Sequence, residues 1–265
     1  MLTTLSNDMP FPAEFPKGAL LLIDKPLGWT SFDVVNKVRY LLVRRLGIKK
    51  LKVGHAGTLD PLASGLLLLC TGDYTKKIDE LQSLPKAYTG TMTLGATTPS
   101  FDLEKPVDAT YPTGHLTDAL LQSLLPQFTG DIQQIPPVFS AVKVDGKRLY
   151  KNARTGEEVE IAARPVRIST LEITGLHPVP FSGKTHSILS SRGADIHLYP
   201  DYPEGLQVEF TVECSKGTYI RSLIHDIGQA AGSGAYLSAL RRTKTGGFSV
   251  ENAWEIENLE NWVKS

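Results

Sequence analysis

The chain has 265 residues, 28 basic and 28 acidic, of which 41% are hydrophobic and 21% charged, an ordinary globular composition whose zero net charge gives no global argument for a nucleic-acid partner. No apolar run approaches the roughly 20 residues needed to cross a bilayer, and the N-terminus has no basic region followed by an apolar core, so a cytoplasmic protein without a membrane partner is expected. Cys70 and Cys214 alone make neither a disulfide framework nor a Cys-rich metal site, and the six histidines are dispersed without a short paired spacing.

Residues 1–16 contain Pro10, Pro12 and Pro16 with little periodicity and read as a loose arm. Gly18 to Asp24 is predicted as a strand, Lys25 to Thr30 as a turn, and Ser31 as the N-cap of a helix reaching about Leu46. Helical spacing puts Val34, Val35, Val38, Leu41, Leu42 and Leu46 mainly on one side. From Val34 to Leu59 there is no acidic residue, whereas Lys37, Arg39, Arg44, Arg45, Lys49, Lys50 and Lys52 are basic. Such a stretch is either an ordinary solvated helix face or a surface for phosphates.

The segment from Gly54 to Gly65 follows, a run of small and turn-forming residues around one carboxylate, Asp60. Glycines open backbone conformations closed to other residues, and Pro61 fixes its own φ, so a shaped, rigid loop is expected. By itself Asp60 reads as a cap for the turn before Pro61 or as a reactive group presented to an anion. Leu66 to Cys70 is a continuous apolar run suited to a strand covered on both faces.

Beyond the loop, Asp73 to Leu84 is predicted as a helix and Tyr88 to Leu94 as a half-buried strand. Helices are expected at 115–125 and 147–154, a break at Pro136-Pro137, and strands at 138–144, 166–176 and 207–214. Residues 178–204, rich in Ser, Gly and Pro, read as an inserted excursion or long hairpin. Ile220, Leu223, Ile224, Ile227 and Ala231 recur at helical spacing, with Arg221 in the first turn. Strands interleaved with helices, several hairpin-connected, favour a mixed α/β or α+β domain.

Three segments together carry a resemblance: Gly54 to Gly65, Lys86-Ala87-Tyr88-Thr89-Gly90, and Cys214-Ser215-Lys216-Gly217-Thr218-Tyr219-Ile220-Arg221. With Leu22-Ile23-Asp24-Lys25-Pro26, Gly72 to Lys76 and Ile135 to Ala141, they closely resemble the bacterial TruB-type tRNA pseudouridine synthases, in order and spacing, from about Gly18 to about Gly247. The resemblance implies an α+β fold with a mixed, mainly antiparallel central sheet flanked by helices. It further implies a catalytic domain over 17–247, from whose family pattern the chain departs in two places: an insertion at about 178–204, and a short tail, 248–265, expected as one helix, with little room for the C-terminal RNA-binding module of many bacterial members.

The reaction implied is the isomerisation of uridine 55, in the T loop of tRNA, to pseudouridine, without a cofactor or metal and by a monomer. Asp60 takes the nucleophile's position, with covalent addition and glycal formation both left open. Arg221 takes that of the cation beside it, Tyr88 that of the aromatic that stacks on the base and is implicated in proton removal, and Tyr219 that of a second pocket residue. His55 matches the loop histidine that helps extrude the base. Lys25 and Lys76 match lesser positions for phosphate contact or loop support, and Asp102 lies in a family-like stretch as a weaker candidate. Phosphate contacts are expected from Arg44, Arg45, Lys49 and Lys50, then Lys143, Lys147, Arg148, Arg241, Arg242 and Lys244. The rival readings are a non-catalytic RNA-binding or RNA-folding protein and a synthase for another RNA site.

Overall fold

The computed structural model describes residues 3–5, 9–12, 14–138, 143–144, 147–148, 161–179 and 186–265. In chain order its strands and helices are β1 (Thr4–Leu5), β2 (Gly18–Lys25), α1 (Ser31–Leu46), β3 (Val53–His55), β4 (Ala63–Gly72), α2 (Ile78–Ser83) and β5 (Lys86–Leu94). Then come β6 (Ala96–Thr97), β7 (Ala109–Thr110), α3 (Asp118–Leu124), β8 (Gly130–Gln134), β9 (Lys143–Val144), β10 (Lys147–Arg148) and β11 (Arg164–Pro178). The last are β12 (His186–Leu189), β13 (Asp195–Leu198), β14 (Leu206–Cys214), α4 (Ile220–Ala230), β15 (Ala235–Thr245), β16 (Phe248–Ser249) and α5 (Ile256–Lys264). The chain divides into two compact units: Met1–Tyr88 with Ile188–Ile196 and Leu240–Ser265, and Thr89–Ser187 with His197–Ala239. The sheet pairing is mixed and mainly antiparallel, the α+β arrangement expected.

In the first unit β2 and β4 are antiparallel neighbours and are apolar on both faces, which is why their sequences read as unbroken runs rather than alternations. Leu21, Ile23, Leu67 and Leu69 point to one side, where Val34, Val35, Val38, Leu41 and Leu42 of α1 and Leu259, Trp262 and Val263 of α5 cover them. Leu20, Leu22, Leu66 and Leu68 point to the other, under Leu81 and Ala253. Each such leucine, buried completely, contributes about 1.5–3 kcal/mol of transfer free energy. Helix α1 stops at Gly47, whose φ of 63° is the left-handed C-cap conformation.

Several expectations are corrected. Thr30, not Ser31, is the N-cap of α1: its hydroxyl accepts from the Asp33 amide at 3.0 Å while the Asp33 carboxylate accepts from the Thr30 amide at 2.9 Å, a capping box that frees the Ser31 hydroxyl for a tertiary contact. The stretch read as a loose arm is tied down where it is described. Thr4 and Leu5 pair in parallel with Leu20 and Leu21, the Phe11 ring lies 4.8 Å from that of Trp262, and the Trp262 indole donates to the Met9 carbonyl, because apolar side chains between the prolines find a surface built by the C-terminal helix. The segment 73–84 is a 3₁₀ turn, Asp73–Lys77, followed by the short α2.

Of the helix expected at 147–154, Lys147 and Arg148 are instead β10, paired antiparallel with β9; the Asp-Gly dipeptide between the two strands has hairpin chemistry rather than helix chemistry, and residues 149–154 lie outside the described residues. Of the strand expected at 138–144, only Lys143–Val144 is one, and 139–142 lie outside the described residues. The excursion at 178–204 contains two paired strands, β12 and β13. Its Ile188–Ile196 portion belongs to the first unit, where Gly28, at φ 82°, has no room for a side chain because a Cβ would collide with the Leu189 carbonyl. In the second unit β11 lies between β14 and β8, antiparallel to both, and α4 buries Ile220, Leu223, Ile224 and Ile227.

Candidate active site

The loop from Gly54 to Gly65 leaves β3 and enters β4, so both its ends are held by the sheet. Along it, several backbone groups are bonded, most of them to residues outside the loop. The Ala56 amide donates to the Leu68 carbonyl at 2.9 Å, the Gly28 amide donates to the Pro61 carbonyl at 2.8 Å, and the Ala63 amide closes onto the Asp60 carbonyl at 3.1 Å. The Ser31 hydroxyl accepts from the Leu59 amide at 2.8 Å and donates to the Leu59 carbonyl at 3.0 Å. Leu59 itself is buried while Asp60 is exposed. The loop therefore presents the Asp60 side chain from a backbone already fixed, the condition under which a reactive group needs little reorganisation.

Arg242 completes the frame. It was expected to meet phosphate, yet it is only 1% exposed: its Nε donates to the Leu66 carbonyl at 2.7 Å, one Nη to the Gly57 carbonyl at 3.2 Å and the other to the Thr58 carbonyl at 3.4 Å. The planar guanidinium fork suits three carbonyls arrayed around it, as a compact ammonium would not. Gly65, at φ 103°, lies where a Cβ would strike the Arg242 backbone, and β15 runs parallel to β4 there, Arg242 opposite Gly65. Next to it Arg241 forms a forked pair with Asp24 at 3.1 and 2.6 Å. Arg242 is thus a buried clamp within this unit, whereas Arg241 is paired with Asp24 at a side chain 42% exposed.

Lys25 is likewise inside, with no exposed surface. Its Nζ donates to the Pro26 and Trp29 carbonyls at 3.0 and 2.6 Å, so of its two expected roles it fills loop support, not surface phosphate contact. Burial brings its pKa down to about 8, the Asp60 charge opposing and Arg242 reinforcing the shift. His55 is pushed below its ordinary value by burial and then by Arg242, with a smaller opposing effect from its hydrogen bond to the Gly57 backbone, which leaves a neutral ring at physiological pH. Tyr88 lies half-buried on β5 in this same unit.

The other two site residues lie in the second unit. Tyr219 is the N-cap residue of α4, its amide donating to Gln134 Oε1 at 2.7 Å and its carbonyl accepting from Gln134 Nε2 at 3.0 Å. Arg221 is 7% exposed and donates to the Ser100 carbonyl at 3.2 Å, with Asp102 Oδ2 3.4 Å away. Burial raises the Asp102 pKa and the Arg221 charge opposes it. Between Ser100 and Asp102, Phe101 sits at a φ of 60° and stacks on His225 at 3.9 Å; a bulky residue in that conformation is strained and persists only where its surroundings hold it. Asp102 is thus better placed than its sequence context suggested, as the buried carboxylate that fixes Arg221.

The expected phosphate contacts separate into groups. Arg45 lies over the Phe11 ring at 5.1 Å, Arg44 donates to the Tyr40 hydroxyl at 2.9 Å, and Lys76 is an exposed cation 3.7 Å from Asp73. Lys49 and Lys50 line an open cleft beside α1. Among the described residues no cluster of His, Cys, Asp and Glu is arranged to hold a metal ion, and no helix is long and apolar enough to cross a membrane.

Residues 44–220 match the family model for the N-terminal domain of TruB family pseudouridylate synthases, and residues 221–265 match the tRNA pseudouridylate synthase B C-terminal domain. That second match begins at Arg221 and takes in α4, β15 and α5, not only the tail after Gly247. The tRNA pseudouridine synthase B of Flavobacterium johnsoniae is 50% identical over 94% of this chain and 97% of its own length. Its counterpart in Phocaeicola vulgatus is 49% identical over 94% of each, whereas that of Arthrobacter sp. is 39% identical over 91% of this chain and 70% of its own length. Among solved structures, a Cbf5-Nop10-Gar1 complex matches 96% of this chain with a TM-score of 0.60 and 27% identity. An H/ACA RNP bound to a substrate RNA containing 2'-deoxyuridine matches 91% with a TM-score of 0.57 and 26% identity. The chain spans 59% and 52% of those two proteins.

Proposed function

The chain belongs to the TruB family of tRNA pseudouridine synthases, and from that premise we propose that it acts in the cytoplasm, as a monomer, on uridine 55 in the T stem-loop of tRNA, with Asp60 as nucleophile. The observation that carries the reading is the loop itself: an exposed carboxylate on a backbone fixed at Leu59 by Ser31, at Gly57 and Thr58 by Arg242, and at Pro61 by Gly28.

The chemistry balances without an outside reactant. The C1′–N1 bond breaks, uracil rotates, a C1′–C5 bond forms, and the proton leaving C5 is matched by one gained at N1. Asp60 serves the departing uracil either by adding covalently to the nucleoside or by promoting formation of a glycal. In this proposal Arg221, held by Asp102 and the Ser100 carbonyl, supplies the positive charge that keeps the nucleophile ionised and aimed. Tyr88 stacks on the uracil and takes part in removing the C5 proton, Tyr219 lines the pocket, and the neutral His55 ring takes the space of the extruded base.

Incubating the purified chain with unmodified tRNA and mapping pseudouridine tests this. The expected product is a single pseudouridine at position 55, absent with Asp60→Asn. A product elsewhere overturns the site, and one that survives Asp60→Asn overturns the nucleophile.

A further inference from the structure

On the first unit, α1, the segment from Lys49 to Gly54 and the turn entering α2 enclose an open cleft of about 690 Å³, a size typical of small-ligand sites. Its chemistry is divided. Val43, Leu51, Val53 and Ile78 give it an apolar lining, while Arg39, Lys49, Lys50 and Lys52 supply cations, and no carboxylate lines it. Arg39 is fixed in place, donating to the Val53 carbonyl at 3.1 Å and to Asn36 Oδ1 at 3.0 Å. Tyr40 forms part of the wall and is 57% exposed, its hydroxyl engaged by Arg44.

Cations of the same stretch outside the cleft are occupied within the protein: Lys37 pairs with Glu260 at 2.6 Å, and Arg45 lies on Phe11. The cleft cations thus stand around apolar space beside an exposed aromatic ring. A bare phosphate track would need the charges alone. An apolar cleft with one aromatic wall and a cationic border matches a group that carries a flat ring and a phosphate together.

We propose that this cleft binds an unstacked nucleotide of the substrate RNA, distinct from the one that is isomerised, its base against Tyr40 and its phosphate on Lys49, Lys50 and Lys52. The inference rests on the reading of the chain as an RNA-modifying enzyme and adds a second point of attachment, ending at Gly54, the first residue of the Asp60 loop.

The test measures affinity for unmodified tRNA in an Asp60→Asn background, so that binding is read without turnover. Tyr40→Ala is expected to weaken binding on the order of tenfold, and Tyr40→Phe to retain it. Lys49→Gln/Lys50→Gln/Lys52→Gln is expected to weaken it and to flatten the log–log salt slope by about 2. Lys17→Gln/Lys77→Gln/Lys264→Gln, which removes three exposed cations outside the cleft, is the control for net charge. Weakening by the lysine variant alone would mean a plain phosphate track and overturn the nucleotide site, as would no change in either variant or equal competition by free uridine monophosphate. Loss of binding in Tyr40→Ala, alongside a parent chain with Asp60 intact that forms no pseudouridine, would uphold the cleft and sink the proposed reaction, so the two fail separately.

Discussion

Ser31 and Leu59 exchange two hydrogen bonds: the serine hydroxyl takes the leucine amide proton at 2.8 Å and gives its own to the same residue's carbonyl at 3.0 Å. The first turn of α1 is thereby fastened to the residue preceding Asp60. Ser31→Ala leaves both buried backbone groups unmatched, at a cost of about 2 kcal/mol in stability. The single-turnover rate of pseudouridine formation should fall by more than the tRNA affinity does. A rate equal to the parent's, with the stability loss present, would show that the fastening serves the fold alone.

Arg242→Lys tests the other side of the frame. An ammonium cannot reach the Leu66, Gly57 and Thr58 carbonyls with one planar fork, so urea unfolding should show a loss of about 3 kcal/mol and turnover at saturating tRNA should drop at least about tenfold, since small misplacements of a reacting group are costly. Full activity from this variant would mean that the loop holds its shape without the clamp.

Lys25 gives a pH signature. Its folded pKa, about 8, lies below the ordinary 10.5, so between these values the unfolded chain binds more protons than the native protein and stability rises with pH. Below pH 8 the folded protein carries the full cost of a buried charge, about 3 kcal/mol at this shift. Urea midpoints of the parent and of Lys25→Met, followed from pH 7 to 10, should therefore converge or cross as the parent gains relative stability. Parallel curves would contradict a titrating Lys25.

Asp226 behaves with the opposite sign. Burial raises its pKa from 3.8 to about 6, so the native state holds the extra proton between those values and stability falls as pH climbs through them. Asp226→Asn should melt higher than the parent at pH 7 and at the same temperature near pH 4. A difference of equal size at both pH values would assign the effect to something other than ionisation.

What the chain's own pattern disclosed was local. The unbroken run from Leu66 to Cys70 and the spacing of Ile220, Leu223, Ile224 and Ile227 report burial directly, and both elements are where that periodicity puts them. The start of α1 was one residue off because Thr30 and Ser31 carry the same capping group, and only the approach of Leu59, 28 positions later, decides which hydroxyl caps and which bridges. Arg241 and Arg242 looked like surface cations for the same reason. Nothing near them announces that one meets Asp24 and the other a carbonyl 185 positions away. Asp102 needed the partner charge of Arg221 to acquire meaning. The Asp60 loop was legible as a motif, whereas its fastening depends on residues scattered across the chain.

That scattering has a consequence for biosynthesis. The Asp60 loop borrows its clamp from Arg242 and its neighbouring strand from Leu240 to Arg242, so a ribosome that has released the first two hundred residues has made the carboxylate but not its setting. Domains tend to fold from the N-terminus as they emerge, but contacts this distant in sequence form only once both ends exist. The nascent chain can pair β2 with β4 early, but α5, which covers one face of that pair, and Arg242, which clamps the loop, arrive last. The setting of the loop is then completed only near the end of translation, and a chain cut short before position 242 carries Asp60 without the Arg242 clamp on Gly57, Thr58 and Leu66.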